Sequence, residues 1–241
     1  MRTFGLRVTT LSSREKQSLG FTMSHARQVI PGRTVGVARR CSEQRFFLKP
    51  SGWFNRVVRF LLAHYATKHG IALHGFAFMA NHFHLVLTDV GGTLPRFMEE
   101  FDSMLTRVVN RHLGRSGRLW ESSPYAAWVL ETEEDVLSHL AYVAANPVQA
   151  RVVTRPEEWP GVLSVPSDLL ALPRECAPPV GGLFARGHES SALPARASLN
   201  ISVPPVFGGR LTRARFAALF QSTLDLWVGE IRDTAAGPFL G

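Results

Sequence analysis

Hydrophobic and polar positions alternate along some parts of the chain and recur every three to four residues along others. Alternation is typical of half-buried strands, and recurrence every three to four residues is typical of amphipathic helices. Along residues 31–155 these patterns predict, in order, a strand over 34–41, a helix from Ser51 to about His69, two strands or one long bent strand over 71–88, a helix over about 94–113, a strand over 125–130 and a helix from Thr132 to Asn146. Strands interspersed with helices on short connections predict an α+β fold.

Several of these elements carry signals for where they begin or end. Ser51 precedes the first helix, and Thr132 with Asp135 three residues later forms a capping-box pattern. Glycine is typical of the residue after a helix, so Gly70 indicates the end of the first helix. Pro147 disfavours helical structure at Asn146, where we expect the helix that begins at Thr132 to end.

The two ends of the chain differ from this middle part. Residues 1–30 show weak periodicity and predict a basic flexible arm. Nine of the fifteen prolines lie between Pro156 and Pro205, which predicts a proline-rich extension over 156–241. One amphipathic stretch predicts a helix near 211–231. We therefore expect a compact domain over 31–155 with an appendage at each end.

Composition excludes several classes of protein. With 241 residues and 45% hydrophobic content the chain is long enough to bury a core. No stretch is apolar for long enough to predict a membrane helix, and the first thirty residues lack the pattern of a secretory signal. Two cysteines make neither a disulfide framework nor a metal knuckle. We expect a cytoplasmic location.

The excess of positive charge is concentrated and carried by arginine. The net charge is +8, and residues 1–50 hold ten basic and two acidic side chains, so this segment accounts for all of it. Arg39 and Arg40 lie in it. No acidic residue occurs among 103–120, which contain Arg107, Arg111, Arg115 and Arg118. Arginine binds phosphate through two parallel hydrogen bonds, so these six are candidate contacts for a polyanionic partner such as DNA, although a run of charge can also be a solvated face.

His82 and His84 are two apart on a predicted strand, so both side chains lie on one face while Phe83 lies on the other. Two imidazoles in this arrangement can bind one divalent metal ion. Such a pair can equally cover a solvated face, so alone it decides nothing.

Tyr142 and Asn146 are four residues apart on the helix predicted from Thr132 to Asn146, and His139 lies three residues before the tyrosine. At 100° per residue these three residues share the side of the helix opposite its apolar face. We expect packing to leave this side open. The alternative is a half-exposed tyrosine beside an ordinary helix end.

Together these features form one chemical set. A tyrosine hydroxyl, with an ordinary pKa of about 10, is a poor nucleophile at neutral pH unless a cation polarises its target. His82, His84 and the side-chain oxygen of Asn146 would hold that cation beside Tyr142. Arginines would bind the flanking phosphates. Trp120, Tyr125 and Trp128 are candidates for base stacking and equally for the core.

Three stretches in this order resemble the REP-associated tyrosine transposases, which are single-tyrosine transposases of the HUH (His–hydrophobic–His) superfamily. The stretches are 78–87, reading FMANHFHLVL, 110–120, reading NRHLGRSGRLW, and 142–148, reading YVAANPV. The resemblance covers roughly residues 27–155, and three motifs in one order are more specific than any one alone.

The resemblance implies a ferredoxin-like or RRM-like antiparallel sheet with helices packed on one face. It implies that His82, His84 and Asn146 bind Mg²⁺ or Mn²⁺ and that Tyr142 is the nucleophile. The implied reaction is cleavage and joining of hairpin-containing single-stranded DNA through a 5′-phosphotyrosine intermediate, as in DNA transposition. A homodimer is possible in this family.

Two other functions fit the same sequence. One is a non-catalytic RRM-like nucleic-acid-binding protein, or a domesticated remnant of a transposase, which would need neither histidine. The other is a hydrolytic metallonuclease, which would turn over without a covalent protein–DNA adduct.

Overall fold

The structure, a computed structural model, describes residues 30–180, 182–184 and 193–234. The basic arm predicted over residues 1–30 lies, apart from residue 30, outside this range. So do residues 235–241 at the end of the proline-rich extension.

The fold is α+β, as predicted, and is built on a four-stranded antiparallel sheet. Its strands are β1 (Arg33–Arg40), β2 (Ile71–Phe78), β3 (His82–Asp89) and β4 (Ala126–Val129), in the order β2-β3-β1-β4. The region 71–88 is thus two strands, joined by three residues. In the long central pair, Arg33 is opposite Asp89 and Arg40 is opposite His82.

Four helices accompany the sheet: α1 (Gly52–Lys68), α2 (Leu94–His112), α3 (Glu133–Gln149) and α4 (Arg213–Thr234). The predicted caps are present. The Ser51 hydroxyl accepts from the Phe54 N–H at 3.0 Å, and Thr132 and Asp135 form a reciprocal capping box at the start of α3. At the start of α2, the buried Asp89 carboxylate accepts from the N–H groups of Thr93 and Leu94.

The prediction that Asn146-Pro147 ends the helix that begins after Thr132 is wrong. Helix α3 contains Pro147 and continues to Gln149, and the Ala150 N–H still bonds to the Asn146 carbonyl. A proline in a helix removes one hydrogen bond, to the carbonyl four residues earlier. Here Pro147 and Val148 are buried in the core, and this burial offsets the loss.

Helices cover both faces of the sheet, whereas the resemblance implied one face. Phe83 packs edge to face against Phe101 of α2. Its neighbour His84 points the opposite way, where it contacts Tyr142 of α3 at 5.4 Å between ring centroids. Helices α1 and α2 therefore lie on the Phe83 side, and α3 lies on the histidine side with α4 packed against it.

Residues past 155 pack on this core. A small pair of strands, β5 (Arg174–Cys176) and β6 (Ala197–Leu199), lies against α1. Helix α4, which begins and ends within three residues of the predicted helix, buries Phe216, Phe220 and Leu224 in the common core. Within the described ranges, no helix combines the length and the apolar character needed to cross a membrane.

Candidate active site

His82 and His84 lie on β3 with their rings on the same face, as the alternation along the strand requires. Their ring centroids are 5.1 Å apart and their planes are nearly perpendicular. His82 is half-buried at the first position of the strand, and His84 is only 7% exposed. Phe83 between them is fully buried on the other face. The pair is therefore fixed by the core on one side and open at one end of the strand.

Helix α3 brings Tyr142 to this pair. The ring centroid of Tyr142 lies 5.4 Å from that of His84 and 5.5 Å from that of His139, which stacks on it. Trp227 of α4 packs edge to face against the tyrosine, with 6.0 Å between the ring centroids. Fifty-eight residues separate His84 from Tyr142 along the chain, and only the packing of α3 on the sheet makes them neighbours.

Asn146 lies one helical turn after Tyr142 and faces His82. Its side-chain oxygen Oδ1 is 3.1 Å from His82 Nε2, and only 6% of Asn146 is exposed. The expectation that packing leaves this side of α3 open is wrong for Asn146, which is buried, whereas Tyr142 is half-buried between the sheet and α4.

Both ring nitrogens of His82 face amide oxygens. Nδ1 lies 2.7 Å from Asn81 Oδ1, while Nε2 faces Asn146. A neutral imidazole carries one N–H and can donate to only one of them at a time. With the N–H on Nδ1, the lone pair of Nε2 would be free to bind a cation together with Asn146 Oδ1. Asn81 would then hold the ring by accepting from Nδ1, as partners of metal-binding histidines commonly do.

Both histidines are held in the neutral form that binds metals. Burial lowers the pKa of His82 below its ordinary value. The hydrogen bond to Asn146 opposes this effect, and the charge of Arg40 adds to it. Burial also lowers the pKa of His84 to about 3, helped by His82, His139 and Arg40. The buried His84 Nδ1 has no hydrogen-bond partner. These residues fit a divalent cation.

The candidate donors are His82, His84 and Asn146. In the part of the chain that the structure describes, no group of three or more His, Cys, Asp or Glu residues is placed to hold a metal ion. Asn146 Oδ1, 3.1 Å from His82 Nε2, is the candidate third donor for an ion at His82 and His84. Hard divalent ions such as Mg²⁺ and Mn²⁺ accept such oxygen donors and keep open positions for water or phosphate.

Arg39 and Arg40 point to opposite faces of the sheet. Arg40 is exposed and lies opposite His82 in the β1–β3 register, on the same face as the histidines. Arg39 points to the α2 side, where Nε lies 3.3 Å from Asp102 Oδ2 and the guanidinium also donates to the Ser123 carbonyl. Arg40 is therefore beside the site, and Arg39 is engaged within the fold.

The four other arginines lie on and after α2. Arg107 and Arg111 are exposed on this helix, on the side of the sheet opposite Tyr142. Arg115 lies over the ring of Phe47 at 4.0 Å and donates to Asn110 and to the Arg118 carbonyl. That carbonyl also accepts from Ser42, just beyond the end of β1. The loop with Arg115 and exposed Arg118 thus approaches the end of the sheet that carries Arg40 and His82.

Of the three stacking candidates, Trp120 is 7% exposed and packs against Phe83 in the core. Tyr125 and Trp128 are half-buried. Trp128 lies on the histidine face and contacts His139. Sequence reasoning missed Asn81 and Trp227. Asn81 is adjacent to His82 and could have been found as a side chain that orients it, but Trp227 lies far outside the motifs and nothing local marks it.

Comparison with solved structures shows a distant similarity in structure. The chain is similar to a solved REP-associated tyrosine transposase bound to a REP hairpin, with a TM-score of 0.46 and 15% sequence identity over 58% of this chain and 81% of that chain. No family model and no curated protein matches the sequence. The two chains differ at most of their aligned positions.

Proposed function

We propose that this protein is a transposase that cleaves and rejoins single-stranded DNA through a covalent bond to Tyr142. The observation that carries the proposal is the meeting of Tyr142, the two histidines and Asn146 at one point, from elements that are distant in the sequence. Two neutral imidazoles and an amide oxygen are donors that a divalent cation accepts. The Tyr142 ring contacts His84 of this set directly.

His82, His84 and Asn146 would hold a Mg²⁺ or Mn²⁺ ion. Such an ion supplies Lewis-acid polarisation of a phosphoryl oxygen. The chain provides the neutral ring nitrogens for it, because burial disfavours the charged imidazolium at both positions. Asn81 orients the His82 ring so that Nε2 faces Asn146.

Tyr142 provides the nucleophile. Its phenolic oxygen attacks the phosphorus of a DNA phosphodiester and the bond from phosphorus to the 3′ oxygen breaks. The phenol loses its proton to water and the departing 3′ oxygen gains one. The product is a 5′-phosphotyrosine and a free 3′-hydroxyl, and attack by a 3′-hydroxyl reverses the step and joins strands. The covalent link retains the energy of the phosphodiester.

The substrate is single-stranded DNA that carries hairpins, and arginines bind its phosphates. Arg40 is the nearest to the site. Arg115 and Arg118 follow along the same end of the sheet, and Arg107 and Arg111 extend the positive surface around α2. Arg39 supports β1 from the inside through Asp102 and contributes to the field of the site rather than to a direct contact.

The test is formation of a covalent adduct. End-labelled oligonucleotides with a hairpin and single-stranded flanks are incubated with the protein and Mn²⁺ and analysed under denaturing conditions. We expect an adduct with the wild type and with the control Tyr65→Phe, and none with Tyr142→Phe or after chelation by EDTA. His82→Ala and His84→Ala should lower the yield by roughly 100-fold or more, as expected for lost metal ligands.

The other functions give different results in the same assay. Cleavage without an adduct, unchanged in Tyr142→Phe, would show a hydrolytic metallonuclease. Binding without cleavage under any divalent ion, unchanged in both histidine variants, would show a non-catalytic RRM-like binding protein or a domesticated remnant. Either result would overturn the proposal.

We also propose that the chain is organised as a basic arm (1–30), a catalytic domain (31–155) and a proline-rich extension (156–241) whose described part packs on that domain. A homodimer and a cytoplasmic location stay predictions from the sequence.

A further inference from the structure

A cleft lies beside Tyr142, between β4, α3 and α4. Its volume is about 440 Å³, within the range of about 300–1,000 Å³ that is typical of small-molecule pockets. We name it the tryptophan cleft after its two largest side chains. It is lined by Trp128, Leu130, Asp135, Ser138, His139, Tyr142 and Trp227.

Aromatic rings form the inner surface of the cleft. Trp227 packs edge to face on Tyr142 at 6.0 Å, and Trp128 packs edge to face on His139 at 5.0 Å. Both tryptophans are half-buried, unlike the phenylalanines of the core, so part of each indole faces the cleft. Flat aromatic surfaces that stay open to solvent are suited to stacking against a planar ring.

The charge of the cleft selects a base over a phosphate. Asp135 is its acidic lining residue, and hydrogen bonds from Thr132 lower the pKa of this carboxyl, so it is ionised at neutral pH. A carboxylate repels phosphate but accepts from the amino groups of cytosine, adenine or guanine. The guanidinium of Arg40, which would attract phosphate, lies by His82 and is not part of the cleft lining.

We propose that the tryptophan cleft binds one unpaired nucleobase of the DNA strand, next to the phosphate that Tyr142 attacks. The position relative to the phosphate rests on the proposed function, because Tyr142 is shared between the cleft and the histidine site. Trp227 is then a residue through which α4 positions the substrate. It should raise the affinity for single-stranded DNA whether or not cleavage follows.

The experiment measures binding in EDTA, where no cleavage occurs. Oligonucleotides with a hairpin and a randomised single-stranded flank are selected on the wild-type protein, and the selected sequence is then prepared with a single abasic residue at each flank position in turn. Affinities are measured by fluorescence anisotropy for the wild type, Trp227→Ala and Trp227→Phe. Leu226→Ala is the matched control, since Leu226 is the neighbouring residue on α4 and is 67% exposed.

We expect one abasic position to weaken binding to the wild type by about 5- to 100-fold, which is the loss of one base–aromatic stack. Trp227→Ala should weaken binding of the intact strand by a similar factor and abolish the effect of that abasic position. Trp227→Phe should retain part of the affinity, and Leu226→Ala should bind as the wild type does. The abasic scan on the wild type needs no variant to fold and tests the stack directly.

Three results would overturn the proposal that the tryptophan cleft binds a base: no binding of any selected strand, no abasic position that weakens binding, or an abasic effect that is unchanged in Trp227→Ala. The proposed function is judged separately by the adduct assay. An abasic effect that depends on Trp227 in a protein that forms no adduct would support the cleft and reject the transposase. An adduct formed by a protein whose binding shows no abasic effect would support the transposase and reject the base-binding cleft.

Discussion

Acidification should destabilise the protein through His74, which lies on β2 and is 1% exposed. Its Nδ1 is 2.8 Å from the Ser202 carbonyl, so Nδ1 carries the proton and donates it. Its Nε2 is 2.8 Å from the Thr88 hydroxyl, which donates in turn, and Thr34 lies 2.8 Å from that hydroxyl. The network joins β1, β2 and β3 to the segment after β6, and it needs a neutral imidazole.

The size of the effect follows from the pKa. Burial lowers the pKa of His74 to about 4, against an ordinary value of about 6.5 in the unfolded chain. Between these values the unfolded chain binds one proton more than the folded one, so the free energy of unfolding falls as the pH falls below about 6.5 and levels off below about 4. At about 1.4 kcal/mol for each pKa unit, His74 removes about 2 kcal/mol between pH 7 and pH 5, and about 3 kcal/mol in total.

The assay is urea unfolding followed by tryptophan fluorescence at pH 7 and pH 5, in the wild type and in His74→Gln, with EDTA present. The variant should be less stable at pH 7, since it loses part of the network. Its loss of stability from pH 7 to pH 5 should nevertheless be smaller than that of the wild type by about 2 kcal/mol. His84, whose pKa is lowered to about 3, contributes the same loss in both proteins and cancels. Equal losses in the two proteins, or a His74 imidazole that titrates near 6.5 by NMR, would refute the reasoning.

Three substitutions test the elements that hold the site. Ser51→Ala removes the acceptor of the Phe54 N–H and should lower the free energy of unfolding by about 1 kcal/mol in urea titrations; an unchanged value would mean that the cap contributes nothing. Thr132→Ala removes half of the capping box of α3 and should cost about 1 kcal/mol in the same assay, and a larger adduct yield from this variant would contradict a role of the cap in fixing the helix. Gly36→Ala places a Cβ 2.6 Å from the Trp128 ring, so it should cost about 1–3 kcal/mol and shift the Trp128 signals in NMR spectra, and a variant as stable as the wild type would show that the ring moves freely.

Much of the secondary structure could be predicted from the sequence, because helix caps and strand alternation depend on residues that are neighbours along the chain. Ser51 and Thr132 cap the helices they were predicted to cap, and alternation placed both histidines on one face of β3. Pro147 misled because a proline penalty is local whereas the burial of Val148 is tertiary, and the tertiary contribution prevailed. The packing of α3 on the sheet could not be read from the helix alone, so Tyr142 and Asn146 were predicted to lie on an open face.

The chemical set of the candidate site could be assembled from the sequence, but its surroundings could not. Residue types at short spacing identified His82, His84, Tyr142 and Asn146 as a group. The orientation of His82 by Asn81 and the packing of Trp227 on Tyr142 depend on distances that only the folded chain defines. The assignment of these residues to catalysis stays a prediction until the adduct assay is done.

The short link before α3 restricts how two molecules could cooperate. Strand β4 ends at Val129 and α3 begins at Glu133, and within the link the Leu130 N–H is bonded to the Thr34 carbonyl of β1. Three residues span at most about 11 Å, so this link keeps the start of α3 close to the strand β4 that precedes it. In this structure each polypeptide completes its own set of phenol, imidazoles and amide. Under the proposed function we therefore expect a mixture of two inactive variants, one lacking Tyr142 and one lacking His84, to stay inactive.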